Sequence, residues 1–425
     1  MKKLFMILFV ITTLVLIVAC GNDADTSETT DEGTNASDDV ELKVFIDQPR
    51  FKTYYEDFLD GFTEYYEEEN GITVRFQLEM PGPNEAAQIL QTRLSSNDSP
   101  DVFTLHALNN IPVYDNAGYL EDLSDLPFVE NLLDAPLNAV TRDEKVLAAP
   151  LETLYWGYLY NVDIFEAYDL EVPETISEME TVVETLSEND VTPFIRSFQE
   201  RNIPQLFLPL VVGALAETEN PDFFERMDNN DASLKEFEGF FDMMDIQNEH
   251  GTDRPFEIDG AQGSNMFANE EAAMWVQGPW YAESILASNE ALNFRVAPLP
   301  INDNPEATLI NASVSTSLAV SKDSDHKEIA KDLVNYFLES EASNALFQDL
   351  LFNPVSTKHD FEPFPWLDEA MEYVEAGRSY QDPPIPNAVK SESERVFQTY
   401  LAGSDSQDDV LEALDRTWEQ SLALD

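Results

Sequence analysis

Between Glu41 and Leu105 the spacing of apolar residues changes repeatedly between two periods. That alternation restricts the fold more than any other feature of this 425-residue chain. Glu41-Leu42-Lys43-Val44-Phe45-Ile46 reads as a strand that stops at Asp47-Gln48-Pro49-Arg50. Over residues 54–69, Tyr55, Phe58, Leu59, Phe62, Tyr65 and Tyr66 recur near helical spacing, and residues 72–78 alternate as a second strand. Residues 84–94 read as a helix and 100–105 as a third strand. This order predicts an α/β fold with a parallel sheet flanked by helices, because each crossover helix returns the chain to start a parallel strand. Ligands of such sheets sit beyond the carboxyl ends of the strands, which singles out residues 47–50, 80–84 and 106–110.

A different block opens near Ala149. Residues 154–160 read as a strand, 162–168 as a short helix and 176–186 as a longer one, with Thr175 as its N-cap and Glu178 completing a capping box. Further strands are expected at 273–276, 294–298 and 309–320, and helices at 327–338, 364–376, 388–402 and 407–423. No long-period repeat is visible. The length beyond residue 40 suits two domains.

The first twenty residues have another character. Lys2 and Lys3, an apolar run from Leu4 to Val18 and then Ala19-Cys20 make a secretory signal, since the run is too short to span a membrane comfortably. Cys20 sits where a lipoprotein signal carries its lipid-modified residue. It is the single cysteine of the chain, so no intramolecular disulfide can form. The following GNDADTSETTDEGTNASDD has no large apolar residue and predicts a disordered acidic tether. The expected location is the extracellular face of the cytoplasmic membrane. Anchoring there needs at least two acyl chains, because one binds only marginally.

Acidic residues number 83 against 23 basic, a formal net charge of −60; losing Lys2 and Lys3 with the signal takes it to −62. Such a surface repels nucleic acid and anionic headgroups. The acids are spread along the whole chain, which suits solubility in a saline or alkaline medium better than a dedicated cation site. The four histidines, His106, His250, His326 and His359, form no HExxH, and GxSxG is absent. A single cysteine removes thiolate metal sites. A glycosidase would need two carboxylates at a set separation, and among so many acids no pair stands out. No catalysis, cofactor or metal is expected.

Several short motifs then occur in a recognisable order. They include Ser99-Pro100-Asp101-Val102-Phe103, Ala117-Gly118-Tyr119-Leu120-Glu121-Asp122-Leu123, Ala149-Pro150 and Tyr158-Leu159-Tyr160-Asn161-Val162-Asp163. Glu271-Ala272-Ala273-Met274, Gly278-Pro279-Trp280, Ala297-Pro298-Leu299-Pro300, Ser317-Leu318-Ala319-Val320-Ser321 and Asn353-Pro354-Val355 follow. In this order the chain resembles the extracellular solute-binding proteins, family 1, receptors of carbohydrate-uptake ABC transporters. The resemblance implies a two-lobed periplasmic-binding-protein fold of type II, each lobe a mostly parallel sheet flanked by helices, with ligand in the cleft between them. On that basis residues 1–19 are the signal and 20–40 the tether. Lobe 1 takes 41–150 with 312–360 returning to it, and lobe 2 takes 151–311 with 361–425. The implied partners are a small-molecule sugar and the transmembrane subunits of an ABC permease, served by a monomer tethered to the membrane through Cys20.

A sugar offers hydroxyls around its ring and C–H groups on its faces, so its receptor needs flat aromatics together with carboxylates, amides or Arg. Trp280 matches the family's aromatic platform, the alternative being a core tryptophan packed behind a strand end. Trp156 stands near the first lobe crossing, open between cleft and core. Glu152 matches a carboxylate that binds hydroxyls in relatives. Asp47 and Arg50 follow the first strand, and His106 and Asn109 follow the third. Gln199 and Asn202 lie in a loop that supplies contacts from the second lobe, and Trp366 and Asn387 fall in its late segment. Leu105 stands where maltose-binding members carry a tryptophan, which argues against maltose. The rival ligands are a polyamine or other cation, held by acids and aromatic rings, and an amino acid clamped by Arg50 or Arg201.

Overall fold

The computed structural model describes residues 39–96 and 98–423. Cys20, the signal and the tether up to residue 38 lie outside the described residues. The strands are β1 (Val40–Phe45), β2 (Val74–Glu79), β3 (Val102–Leu105), a short hairpin of β4 (Thr141–Arg142) and β5 (Lys145–Val146), β6 (Ala149–Trp156), β7 (Tyr158–Asn161), β8 (Met274–Trp275), β9 (Phe294–Ala297), β10 (Ile310–Val320) and β11 (Ser379–Tyr380).

The strand and helix alternation at the start folds as its periodicity predicts. β1 pairs in parallel with β2 and β3, and the helix Lys52–Asn70 makes the first crossover. This helix buries Tyr55, Phe58, Leu59, Phe62 and Tyr66 on one face and ends where Gly71 turns left-handed at φ 68°. The six-stranded sheet has the order β11-β10-β3-β1-β2, with β6 also on β10. It is mixed, since β10 runs antiparallel to both β3 and β6.

Two hydrophobic cores form, one toward each end of the strand pair β6 and β10. The first gathers Leu42, Phe62, Phe103, Leu318 and Phe337 among others. The second gathers Tyr158, Phe207, Leu215, Phe397 and Trp418, and adjoins a smaller cluster around Trp275, Phe294 and Trp366. β6 begins with Ala149 and Leu151 in the first core and ends with Trp156 in the second. β10 returns in the opposite sense, from Ile310 in the smaller cluster to Leu318, Ala319 and Val320 in the first core. The two strands therefore cross between lobes side by side.

Four details depart from the sequence reading. Residues 154–160 are not one strand: Gly157 separates β6 from β7, and a Cβ there would collide with the backbone of Ala297 to Leu299. In the small sheet β8-β7-β9 both pairings are antiparallel, where parallel pairing was expected. β8 and β9 run parallel to each other, joined through the helix Ala282–Ser288, and β7 inserts between them. Thr175 does cap the helix Ile176–Glu188 through the Glu178 N–H, but the Glu178 carboxylate accepts from the Glu174 N–H instead of closing the box on Thr175. Residues 364–376 divide into a 3-10 turn, Pro365–Leu367, and the helix Asp368–Glu375. Among the described residues no helix is long and apolar enough to cross a membrane.

Candidate functional site

The carboxyl ends of β1 and β3 meet the crossing strands at one edge of the large sheet. A bulge in β10 decides what stands there. The register with β6 shifts on both sides of Thr316, so Ser315 has no cross-strand partner and the two neighbouring hydroxyls can turn to one acceptor. Ser315 and Thr316 both donate to Glu152 Oε2, at 2.8 and 2.9 Å. Gln48 Nε2 donates to Thr316 Oγ at 3.0 Å, and the Tyr55 hydroxyl donates to Gln48 Oε1 at 2.7 Å. Four elements thus hold one buried carboxylate through a continuous hydrogen-bonded chain.

Burial raises the Glu152 carboxyl above its usual range, and nearby Asp47 adds to that. The two hydroxyl donors and the Arg50 guanidinium oppose it. Arg50 lies on the 3-10 turn Pro49–Phe51 with its guanidinium 4.4 Å above the Phe51 ring. Among the described residues no carboxylate approaches it to within 4.0 Å, so its charge is not spent on an ion pair.

Across from these groups the second lobe presents tryptophans. Trp280 is half-buried on the 3-10 turn Pro279–Tyr281 and meets buried Trp156 edge to face, ring centroids 5.7 Å apart. Gly278 makes this possible, because any Cβ at that position would collide with the Trp280 indole. Trp366 stacks between Phe294, at 5.7 Å and 6°, and Phe364, at 4.6 Å and 4°. One recess is lined by Arg50 and Glu152 from the first lobe, Trp280, Glu283 and Trp366 from the second, and Asn353 between them. Its volume of about 20 Å³ admits a water molecule but no sugar ring. A solute could occupy this position only if the two walls moved apart.

Arg50, Glu152, Trp280 and Trp366 are thus gathered at one place, with Trp156 behind Trp280. Asp47 is one step removed, its carboxylate accepting from the Thr104 hydroxyl at 2.8 Å. Residues 106–110 do not form the expected loop: His106 occupies the N-cap position of the helix Ala107–Asn116 without a side-chain cap bond, and Asn109 lies inside that helix. His106 Nε2 lies 3.4 Å from Asp382, and Asn109 Oδ1 accepts from Lys390 at 2.8 Å. Gln199, Asn202 and Asn387 are exposed and do not line the recess.

Sequence reasoning missed Asn353. Asn353 donates to the Thr153 carbonyl at 2.9 Å and leaves its own Oδ1 buried without a protein partner. Its place in the Asn353-Pro354-Val355 motif was the available signal. Glu200, next to Gln199 and likewise outside the recess, accepts from the Gly260 N–H at 2.9 Å. With burial as the larger cause, Glu200 helps push the Tyr281 hydroxyl up to about 12. Among the described residues no cluster of His, Cys, Asp and Glu is arranged to hold a metal ion.

Comparison with known proteins gives a consistent answer. The family described as "Bacterial extracellular solute-binding protein" matches residues 48–344. The Multiple sugar-binding protein of Streptococcus mutans is 24% identical over 365 residues, 84% of this chain and 83% of its own length. The Melibiose/raffinose/stachyose-binding protein of Bacillus subtilis is 22% identical over 278 residues, 62% of each chain. Among solved structures, a sugar transporter from Bacillus licheniformis in complex with stachyose superposes with TM-score 0.71 at 20% identity, covering 90% of this chain and 100% of its own.

Proposed function

The chain belongs to the bacterial extracellular solute-binding proteins, and from that premise we propose that it captures a sugar, an oligosaccharide before a monosaccharide, and passes it to an ABC permease. The observation that carries this reading is the pairing of Trp280 with Arg50, Glu152 and Asn353 in one recess. An indole face suits the C–H side of a pyranose. A guanidinium, a carboxylate and an amide oxygen suit its hydroxyls. The named ligands of its relatives, stachyose and raffinose among them, support the same class.

The cycle is binding without bond chemistry. Open lobes take the solute on one wall, rotation about β6 and β10 brings the other wall against it, and the closed form docks on the permease. The narrowness of the recess supports such a motion. Closure is favoured only by as much as the solute binds the closed form better. The sequence calls for export and for lipid attachment at Cys20, which would keep the receptor as a monomer on the outer face of the cytoplasmic membrane. In this reading residues 41–150 and 312–360 form lobe 1, and 151–311 and 361–425 form lobe 2.

The unpaired charge of Arg50 counts against a polyamine, which would bring its own positive charge to the recess. An amino acid would place its carboxylate on Arg50, and glutamate in the melting panel tests that rival. The test is the shift in melting temperature with raffinose, stachyose, chitobiose, glucose, spermidine and glutamate. A shift with one oligosaccharide class is expected. A shift with spermidine alone would replace this reading.

A further inference from the structure

His106 and Asn109 stand on the first lobe, yet each is held by a charged residue of the second. His106 follows β3 and its N–H donates to Asn110 Oδ1, while Ala107 and Ile111 of the helix Ala107–Asn116 sit in the first core. Asp382 follows β11 by two residues. The Tyr380 ring there occupies the space over Gly213, and its hydroxyl donates to the Pro209 and Leu210 carbonyls, so the segment is firmly seated in the second core. Lys390 lies on the helix Asn387–Leu401, whose Val389, Val396 and Phe397 belong to that core too.

Each contact fixes the chemistry of the side chain it touches. An ionised Asp382 can only accept, so at 3.4 Å it favours the imidazole tautomer with the proton on Nε2, which leaves Nδ1 as an acceptor. His106 Nδ1 is buried and has no partner among the described residues. Lys390 can only donate, so it takes the Asn109 oxygen and leaves the Asn109 NH2 as a donor. The second lobe therefore decides that the first presents one acceptor and one donor at the end of β3. The side chains of His106 and Asp382 are only 27% and 13% exposed, and a charge so withdrawn from water is tolerated only while its partner is present. Parting of the lobes would break both contacts and return Asp382 and Lys390 to water.

We propose that Asp382 and Lys390 are positioning residues that clasp the lobes together and orient His106 and Asn109 for ligand hydroxyls, coupling the hinge angle to recognition. The clasp itself is a property of the ligand-free protein; only its use in recognition rests on the sugar reading.

The test separates the two. In the chain carrying Cys20→Ser, spin labels at Asp60→Cys and Glu225→Cys, exposed positions on different lobes, report the interlobe distance without ligand. Asp382→Asn combined with Lys390→Met is expected to lengthen and broaden that distance, with the melting curve remaining cooperative. Asp382→Glu with Lys390→Arg is expected to restore much of the original distribution. Unchanged distances in the first double variant overturn the clasp, whatever any sugar does. With raffinose as the probe, the Asn and Met variant is expected to bind at least tenfold more weakly than the parent. Altered distances with unaltered raffinose affinity would overturn the positioning role. If the parent itself ignores raffinose and the rest of the sugar panel, the sugar reading fails, and the distances alone decide the clasp.

Discussion

Glu152 faces Thr316 across the pair of strands that joins the lobes, and accepts that residue's hydroxyl at 2.9 Å in a position only 7% exposed to solvent. A carboxylate buried at a hinge crossing, with Arg50 near but not bonded, ties the stability of the crossing to its protonation state.

Its sign follows from burial. The Glu152 carboxyl is raised in the folded protein, so the stability it contributes is fully present below its unfolded value of about 4.3 and is lost as pH rises through the folded value. Glu152→Gln keeps an oxygen for Ser315 and Thr316 and removes the ionisation. It is expected to stabilise the protein at pH 7 by about 1 kcal/mol and to bind its solute more weakly. Denaturant melts at pH 4 and pH 7 check the first part; a variant less stable than the parent at pH 7 would contradict it.

Trp280→Ala removes the indole that Gly278 makes room for. The expected result is at least a tenfold loss of sugar affinity, about 1.4 kcal/mol, with the far-UV spectrum unchanged. Titration calorimetry on the sugar chosen by the melting panel measures it. An unchanged Kd would take Trp280 out of the site.

His359 is the clearest acid-labile group. Its Nδ1 accepts from the Val355 N–H at 3.3 Å and its Nε2 lies 3.1 Å from the Ser343 hydroxyl, which itself donates to the Phe337 carbonyl. The neutral imidazole fits that arrangement, and burial brings its pKa down from 6.5 to about 4. A depressed histidine contributes stability above its unfolded value and loses it as pH falls from 6.5 through 4, here on the order of 3 kcal/mol. His359→Gln should flatten the stability profile over that interval. Equal slopes in parent and variant would assign the acid sensitivity elsewhere.

A net charge of −60 makes the folded chain repel itself. Raising NaCl from 0.1 to 1 M shortens the screening length from about 10 to 3 Å, and the melting midpoint is expected to rise by about 5 °C or more. Indifference to salt would mean that the acids are already compensated locally.

The parallel pairing of β1 with its neighbours was legible because periods of 2 and 3.6 are local properties of the chain. The helix Ala107–Asn116 was not, because Pro112 inside it removes a donor and argues against a helix from sequence alone. The apolar helix Phe207–Thr218 was missed for the opposite reason: it is buried on nearly every side and shows no amphipathic period. At the site, Trp280, Glu152 and Arg50 could be named from motifs and from the chemistry a sugar requires. Asn353 stood in a quoted motif and was passed over, whereas the partner of His106 had no local signal, since Asp382 lies 276 positions further along the chain.

The sequence by itself determined the charge, the family's motif order and the alternation that makes an α/β sheet, and it carries the expectation of an export signal. Only the tertiary structure decided that β6 and β10 cross between the lobes together, that a bulge aims two hydroxyls at Glu152, and that His106 and Asn109 answer to the opposite lobe. Register, bulges and cross-lobe partners are set by packing between segments hundreds of residues apart, and no local pattern records which distant side chain will arrive.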